Sequence, residues 1–238
     1  MAADLAQLQA RFGPRYPLWL LSLLMLGSMA MVLASTSVNV ALPAIMDDFA
    51  IGRPLAQWLS TGFLAAMTAG LLLANWTQQR LGTRLTVLLG LGLFVLSSLL
   101  ALAADQAWQL IAARIAQGGC AGIVQPLAMV LIFRVYASGG RGMALGIYGL
   151  GVMIAPSLGP TIGGYLVDHF GWPAVFWMPL PLCALAIIGA IWLLPDERSP
   201  QPPRLDYLAF IWLLLALFAA LGSPVSYTHL TLPTKRIV

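Results

Sequence analysis

Arg114 stands in a stretch otherwise built of Leu, Ile, Ala and Gly, with Gln117 and Gln125 following it. A guanidinium at the centre of a bilayer costs at least about 3 kcal/mol, so such a residue is rarely incidental. On a helix turning about 100° per residue, Gln125 lies about 20° from Arg114, and Gln117 about 60° away on the other side. The three make one polar stripe expected to face a protein interior or a water cavity. Gly118 and Gly122 flank it and permit close helix approach. A second stripe holds Ser28, Ser35 and Asn39, with Thr36 beside them, and Asn39 sits at a depth that suggests a hydrogen bond to Arg114. Such stripes can hold a polar ligand or pass a proton. The bland alternatives are an arginine snorkelling to the surface and an asparagine that merely glues helices together. No paired carboxylates, nucleophile–base set or metal cluster accompanies them, so neither catalysis nor a cofactor is expected.

The elements that carry these stripes are spanning helices. Of 238 residues, 60% are hydrophobic and 8% charged, with a mean hydropathy of +0.88. A soluble domain has about 25% charged residues, so lipid is the main solvent here. The net charge of +4 has no basic stripe behind it that would grip nucleic acid. Cys120 and Cys183 both lie in apolar runs and read as small core residues. Apolar stretches long enough to span run over 17–44, 57–76, 85–104, 108–133, 143–167 and 173–194, with a seventh starting near Tyr207. The expected fold is therefore an all-α polytopic membrane protein: a six-helix bundle over 17–198 and a truncated seventh helix within 199–222.

Charge orients the bundle. With residues 1–16 in the cytoplasm, the inner segments collect Arg11, Arg15, Arg80, Arg84, Arg134, Arg141, Arg198 and Arg204, and the outer loops only Arg53. The first run is long for a signal peptide and leads straight into further spans, so cleavage is not expected. Leu5, Leu8 and Phe12 share one face of a short helix before it, an expected interfacial segment. The texture changes abruptly near residue 223. The stretch 225–234 resembles one reading frame of a sequencing adapter, and 223–238 is expected to be a non-native tail.

Two further segments have a physical signature. The run Ala155–Gly164 carries Pro156 and Pro160, which remove backbone donors and favour a kink. It also carries Gly159 and Gly163, four apart, with Gly164 alongside, and these offer a flat face suited to an interface that slides or rocks. The short basic loop Gln79–Arg84 has Gly82 for a tight turn, while Arg80 and Arg84 can bind helix C-termini or anionic headgroups.

Together these residues resemble the major facilitator superfamily, specifically its fourteen-helix drug:proton antiporters of the EmrB/QacA type. Val38–Pro43 is similar to that family's first-helix signature and Arg114–Gly118 to its fourth-helix motif. Arg141–Ala144 and Gly159–Gly164 are similar to its loop and fifth-helix antiporter motif, and Trp58–Gly62 also fits. Three departures stand out. Ala34 replaces an aspartate, Asn75 and Gln79 replace a glycine and an aspartate, and Trp172-Pro173-Ala174 replaces Trp-Arg-Trp. The resemblance implies alternating access by two six-helix bundles in the bacterial inner membrane, each an inverted three-helix repeat not visible in the sequence, and efflux of small amphiphiles in exchange for protons. It also implies a periplasmic adaptor partner, as some relatives have. The chain would be the first bundle only, inactive alone. With Arg114 on the cavity wall and no acid in any span, neutral, zwitterionic or anionic substrates are favoured over cations. An uptake facilitator of the same fold and a non-transporting membrane scaffold are the rival readings.

Overall fold

The structure is a computed structural model and describes residues 2–136, 140–196, 208 and 212. By its contacts the chain divides into two units, Met1–Pro203 and Arg204–Val238. In the second, Leu208 and Trp212 are helical; the rest of the expected seventh helix and the segment 223–238 lie outside the described residues.

In the first unit a short helix, α1 (Ala2–Phe12), leads through a tight turn into α2 (Tyr16–Asp48). There follow α3 (Arg53–Leu81), α4 (Thr83–Leu102), α5 (Ala107–Val135), α6 (Arg141–Phe170), α7 (Ala174–Trp177) and α8 (Leu180–Leu193). Among the described residues, six segments are long and apolar enough to cross a membrane, with α7 and α8 together forming the sixth. The helices overrun the apolar stretches. The second, expected over 57–76, continues to Leu81 because Gln78, Gln79 and Arg80 extend it past the hydrocarbon depth. The sixth is split, because Pro179 and Pro181 offer no backbone donors there. Gly82 (φ +87°) and Gly171 (φ +79°) end α3 and α6 in conformations that a side chain would strain.

The apolar face of α1 is not left to lipid: Leu5, Leu8 and Phe12 pack against the bundle's own core. The spans pack in the order α3–α5–α4–α8–α2–α6, with α2 also touching α5 across the middle. The first and last members, α3 and α6, make no comparable contact, so the arc is open between them. Exchanging α2 with α5, α3 with α6, and α4 with α8 leaves this pattern unchanged. Short connections make successive spans alternate in direction, so the two triplets are inverted relative to each other. The repeat unseen in the sequence is thus present in the packing.

The two longest contacts are glycine seams. A Cβ on Gly122 would drive into the Met67 backbone and lie 2.9 Å from the Leu71 nitrogen, and one on Gly118 would lie 2.9 Å from the Phe63 Cα. Gly70 of α3 abuts the backbone of Gly119 and Gly122 in the same way. On the other side of the arc, Gly159 of α6 seats Thr36, and a Cβ on Gly163 would lie 2.9 Å from the Ser37 Cβ. Gly92, by contrast, has open space around it. Replacing Gly122 by Ala in the full-length protein is therefore expected to cost about 1–3 kcal/mol through overpacking. Gly92→Ala should be neutral or slightly stabilising. Thermal unfolding in detergent checks the pair, and equal midpoints would contradict the seam.

Candidate functional site

Helix α5 carries Arg114 into the place where α2, α3 and α5 meet. The side chain is 1% exposed. Its Nε donates to the Leu59 carbonyl at 3.1 Å, and one terminal nitrogen donates to the Ala34 carbonyl at 3.2 Å and to Gln117 Oε1 at 2.9 Å. The guanidinium lies 4.3 Å from the centre of the Phe63 ring. Gln117, fully buried, passes the chain on: its Nε2 donates to Ser98 Oγ at 2.8 Å, and Ser98 donates to the Phe94 carbonyl at 3.0 Å. One cation thus ties α2, α3, α4 and α5 together. Its other terminal nitrogen is buried without a partner among the described residues. There is also no salt bridge to a carboxylate among its bonds; main-chain carbonyls and an amide take that place.

Asn39 does not bond Arg114, contrary to the expectation from depth. It is exposed, and its Oδ1 accepts from Ser60 Oγ of α3 at 2.7 Å. The rotation of α2 decides this: Ala34 faces the arginine, while Asn39 turns toward the open side of the arc. Ser35, half-buried, donates to its own helix at the Val32 carbonyl (2.8 Å), and Thr36 lies against Gly159 of α6. Because Asn39 touches α3 and Thr36 touches α6, the Ser35–Thr36–Asn39 strip lies between the two ends of the arc. A cavity of about 460 Å³ continues it toward the end opposite the arginine-rich loops, lined by Asn39, Pro43 and Asp47 of α2 and by Arg53 and Gln57 of α3. Gln125 is half-buried, about 16 Å further along α5 at 1.5 Å per residue, and takes no part in the Arg114 network. Ser28 pairs with Tyr148 of α6 at 2.8 Å. The strut and the strip are therefore separate, one buried around Arg114 and the other partly exposed on α2.

The other motif residues flank these groups. Pro156 and Pro160 face outward on α6, which runs on through both, while Gly159 and Gly163 face α2 and Gly164 lies near Val40. At the arginine-rich end Gly82 turns the chain. Arg80 lies 5.2 Å from the centre of the Trp76 ring, and Arg84 donates to the Ile191 carbonyl of α8. Gln79 donates to Asn75 at 3.0 Å, so the two positions that depart from the family pattern pair with each other. At the opposite end Trp172 donates to Asp48 at 2.7 Å and packs on Phe49 and Phe176, closing α2 against the loop before α7.

Sequence reasoning missed Leu59 and Ala34 as partners, because a main-chain carbonyl has no residue type to betray it. Ser98, Ser60 and Tyr148 were legible only as small or amphipathic residues in apolar runs. Phe63 stands one turn from Leu59 on the same α3 face, which is the signal that could have found it.

The profile described as Major Facilitator Superfamily matches residues 24–234. The multidrug export protein EmrB of Haemophilus influenzae is 34% identical over 178 residues, covering 75% of this chain and 35% of that protein. The riboflavin transporter RibZ of Clostridioides difficile is 30% identical over 218 residues, covering 89% and 48%. A crystal structure of a peptide transporter POT in complex with sulfate matches with a TM-score of 0.69 at 13% identity, over 90% of this chain and 46% of that one. The chain thus spans between about a third and a half of the relatives it matches.

Replacing Arg114 by Met leaves two buried carbonyls and Gln117 without their donor. The expected loss of stability in the full-length protein is about 2–4 kcal/mol. Ser98→Ala, which removes only the far end of the chain, should cost about 1 kcal/mol. Thermal or denaturant unfolding in detergent ranks the two, and an Arg114→Met protein as stable as the parent would contradict the strut.

Proposed function

The chain belongs to the major facilitator superfamily, and on that premise we propose that it is the first bundle of a proton-coupled exporter of small amphiphilic molecules, working by alternating access from the bacterial inner membrane with its N-terminus in the cytoplasm. The observation that carries this reading is the Ser35–Thr36–Asn39 strip on α2, half-buried at Ser35 and Thr36 and exposed at Asn39, framed by α3 and α6 where the arc is open. A second bundle seated on that open side would enclose the strip as one wall of a central site. The glycine face of α6 against α2, similar to an antiporter motif, supports rocking at this seam. The likeness to the multidrug export protein EmrB supports export, and an adaptor partner outside the membrane follows only from that likeness. Residues 1–16, 17–198 and 199–222 serve on this reading as a cytoplasmic segment, the transporter bundle and the linker into the next helix.

Arg114 acts in this scheme from behind the wall. It is buried inside the bundle and does not line the strip, but its charge has no carboxylate partner, and a field in low dielectric reaches across several ångströms. Neutral, zwitterionic or anionic amphiphiles are therefore preferred over dications. The proton carrier is supplied by the other bundle, since none of the acidic residues lies deep in a span of this one. Uptake of a metabolite is a second reading, and a riboflavin transporter stands among the relatives.

Flux assays with the full-length protein in membrane vesicles test both readings. Outward transport of neutral or anionic amphiphiles is expected, driven by a proton gradient and retained after Asp47→Asn. Strong preference for quaternary dications, or inward flux down the substrate gradient, would overturn the export reading.

A further inference from the structure

Away from the strip, at the arginine-rich end of the bundle, α1, α4 and α8 meet around a cavity of about 290 Å³. The packing order puts α4 and α8 in the middle of the arc, furthest from its open side. Bilayer, not a second bundle, therefore faces this cavity. Two guanidinium groups line it, Arg11 and Arg84. Arg84 gives one nitrogen to the Ile191 carbonyl, which leaves further donors of its fork available. The Arg11 guanidinium lies 5.9 Å from the centre of the Trp192 ring, a residue 57% exposed. The Leu193 carbonyl is already satisfied by the Tyr16 hydroxyl at 2.8 Å, so capping the end of α8 does not require Arg11. Below the cavity, Leu89, Leu93 and Leu96 of α4 and Leu185 and Ile188 of α8 are all exposed. Their spacing lays two apolar strips side by side down the spans, and an indole at their head matches the headgroup level.

Charge narrows the ligand. Asp196 lines the same cavity. Among the described lining residues, two arginines and one carboxylate leave one net positive charge, which matches one phosphodiester and not a polyanion. The strips below fit acyl chains, which free phosphate lacks. We propose that this cavity holds the phosphodiester of a singly charged anionic phospholipid, with its chains along α4 and α8.

The test is native mass spectrometry of the full-length transporter, titrated with phosphatidylglycerol or phosphatidylcholine. The parent protein should retain phosphatidylglycerol several-fold better. Arg11→Gln should weaken that retention about fivefold, the effect of one surface arginine on an anionic lipid. Asp196→Asn should strengthen it, and neither change should alter phosphatidylcholine. Opposite shifts from two variants that remove no helix cap are not the result of misfolding. Equal retention of the two lipids, indifference to both variants, or displacement of the bound lipid by millimolar inorganic phosphate would overturn the proposal.

Discussion

A permanently charged guanidinium buried at the junction of α2, α3 and α5 is the constraint around which the rest of the bundle is arranged. Its hydrogen bonds go to the carbonyls of Leu59 and Ala34 and to Gln117. Helical carbonyls are already engaged along the axis, so they can accept from a side chain only where that side chain approaches closely. Gly118 and Gly122 provide this by letting the α3 and α5 backbones touch, which brings Leu59 within reach. Ala34, where the resemblance implies an aspartate, leaves room for the arginine to reach the Ala34 carbonyl. The same small residues that look like packing detail are what make the charge tolerable.

Much of this was legible in the sequence. The spans followed from long apolar runs, Arg114 stood out as a charge inside one, and the glycines of α5 and α6 announced close approach. What was not legible depended on rotation. Depth along the helix put Asn39 level with Arg114, but which neighbour it met was settled by how α2 turns against α3, and that neighbour was Ser60. The inverted repeat was equally hidden, because lipid accepts any apolar side chain and so leaves no shared residues between the triplets. It persists only in which helices touch. The split at Pro179 and Pro181 was written in the sequence but masked by the continuous hydropathy around it.

The arrangement links the two polar groups to one mechanical picture. The strut fixes α2, α3, α4 and α5 to one another, while α6 meets α2 through glycines and the buried Ser28–Tyr148 bond. Asp48 and Trp172 tie the far end of α2 to the loop before α7. The partly exposed strip of α2 thus lies between a firmly tied edge and a smoother one, which is where a moving wall would be expected.

The most direct measurement is a cryo-EM structure of the full-length transporter, at a resolution that places the Arg114 side chain. The account predicts the guanidinium on the carbonyls of Leu59 and Ala34, with no carboxylate from either bundle in contact with it. A carboxylate of the second bundle paired to Arg114, with those carbonyls released, would contradict it.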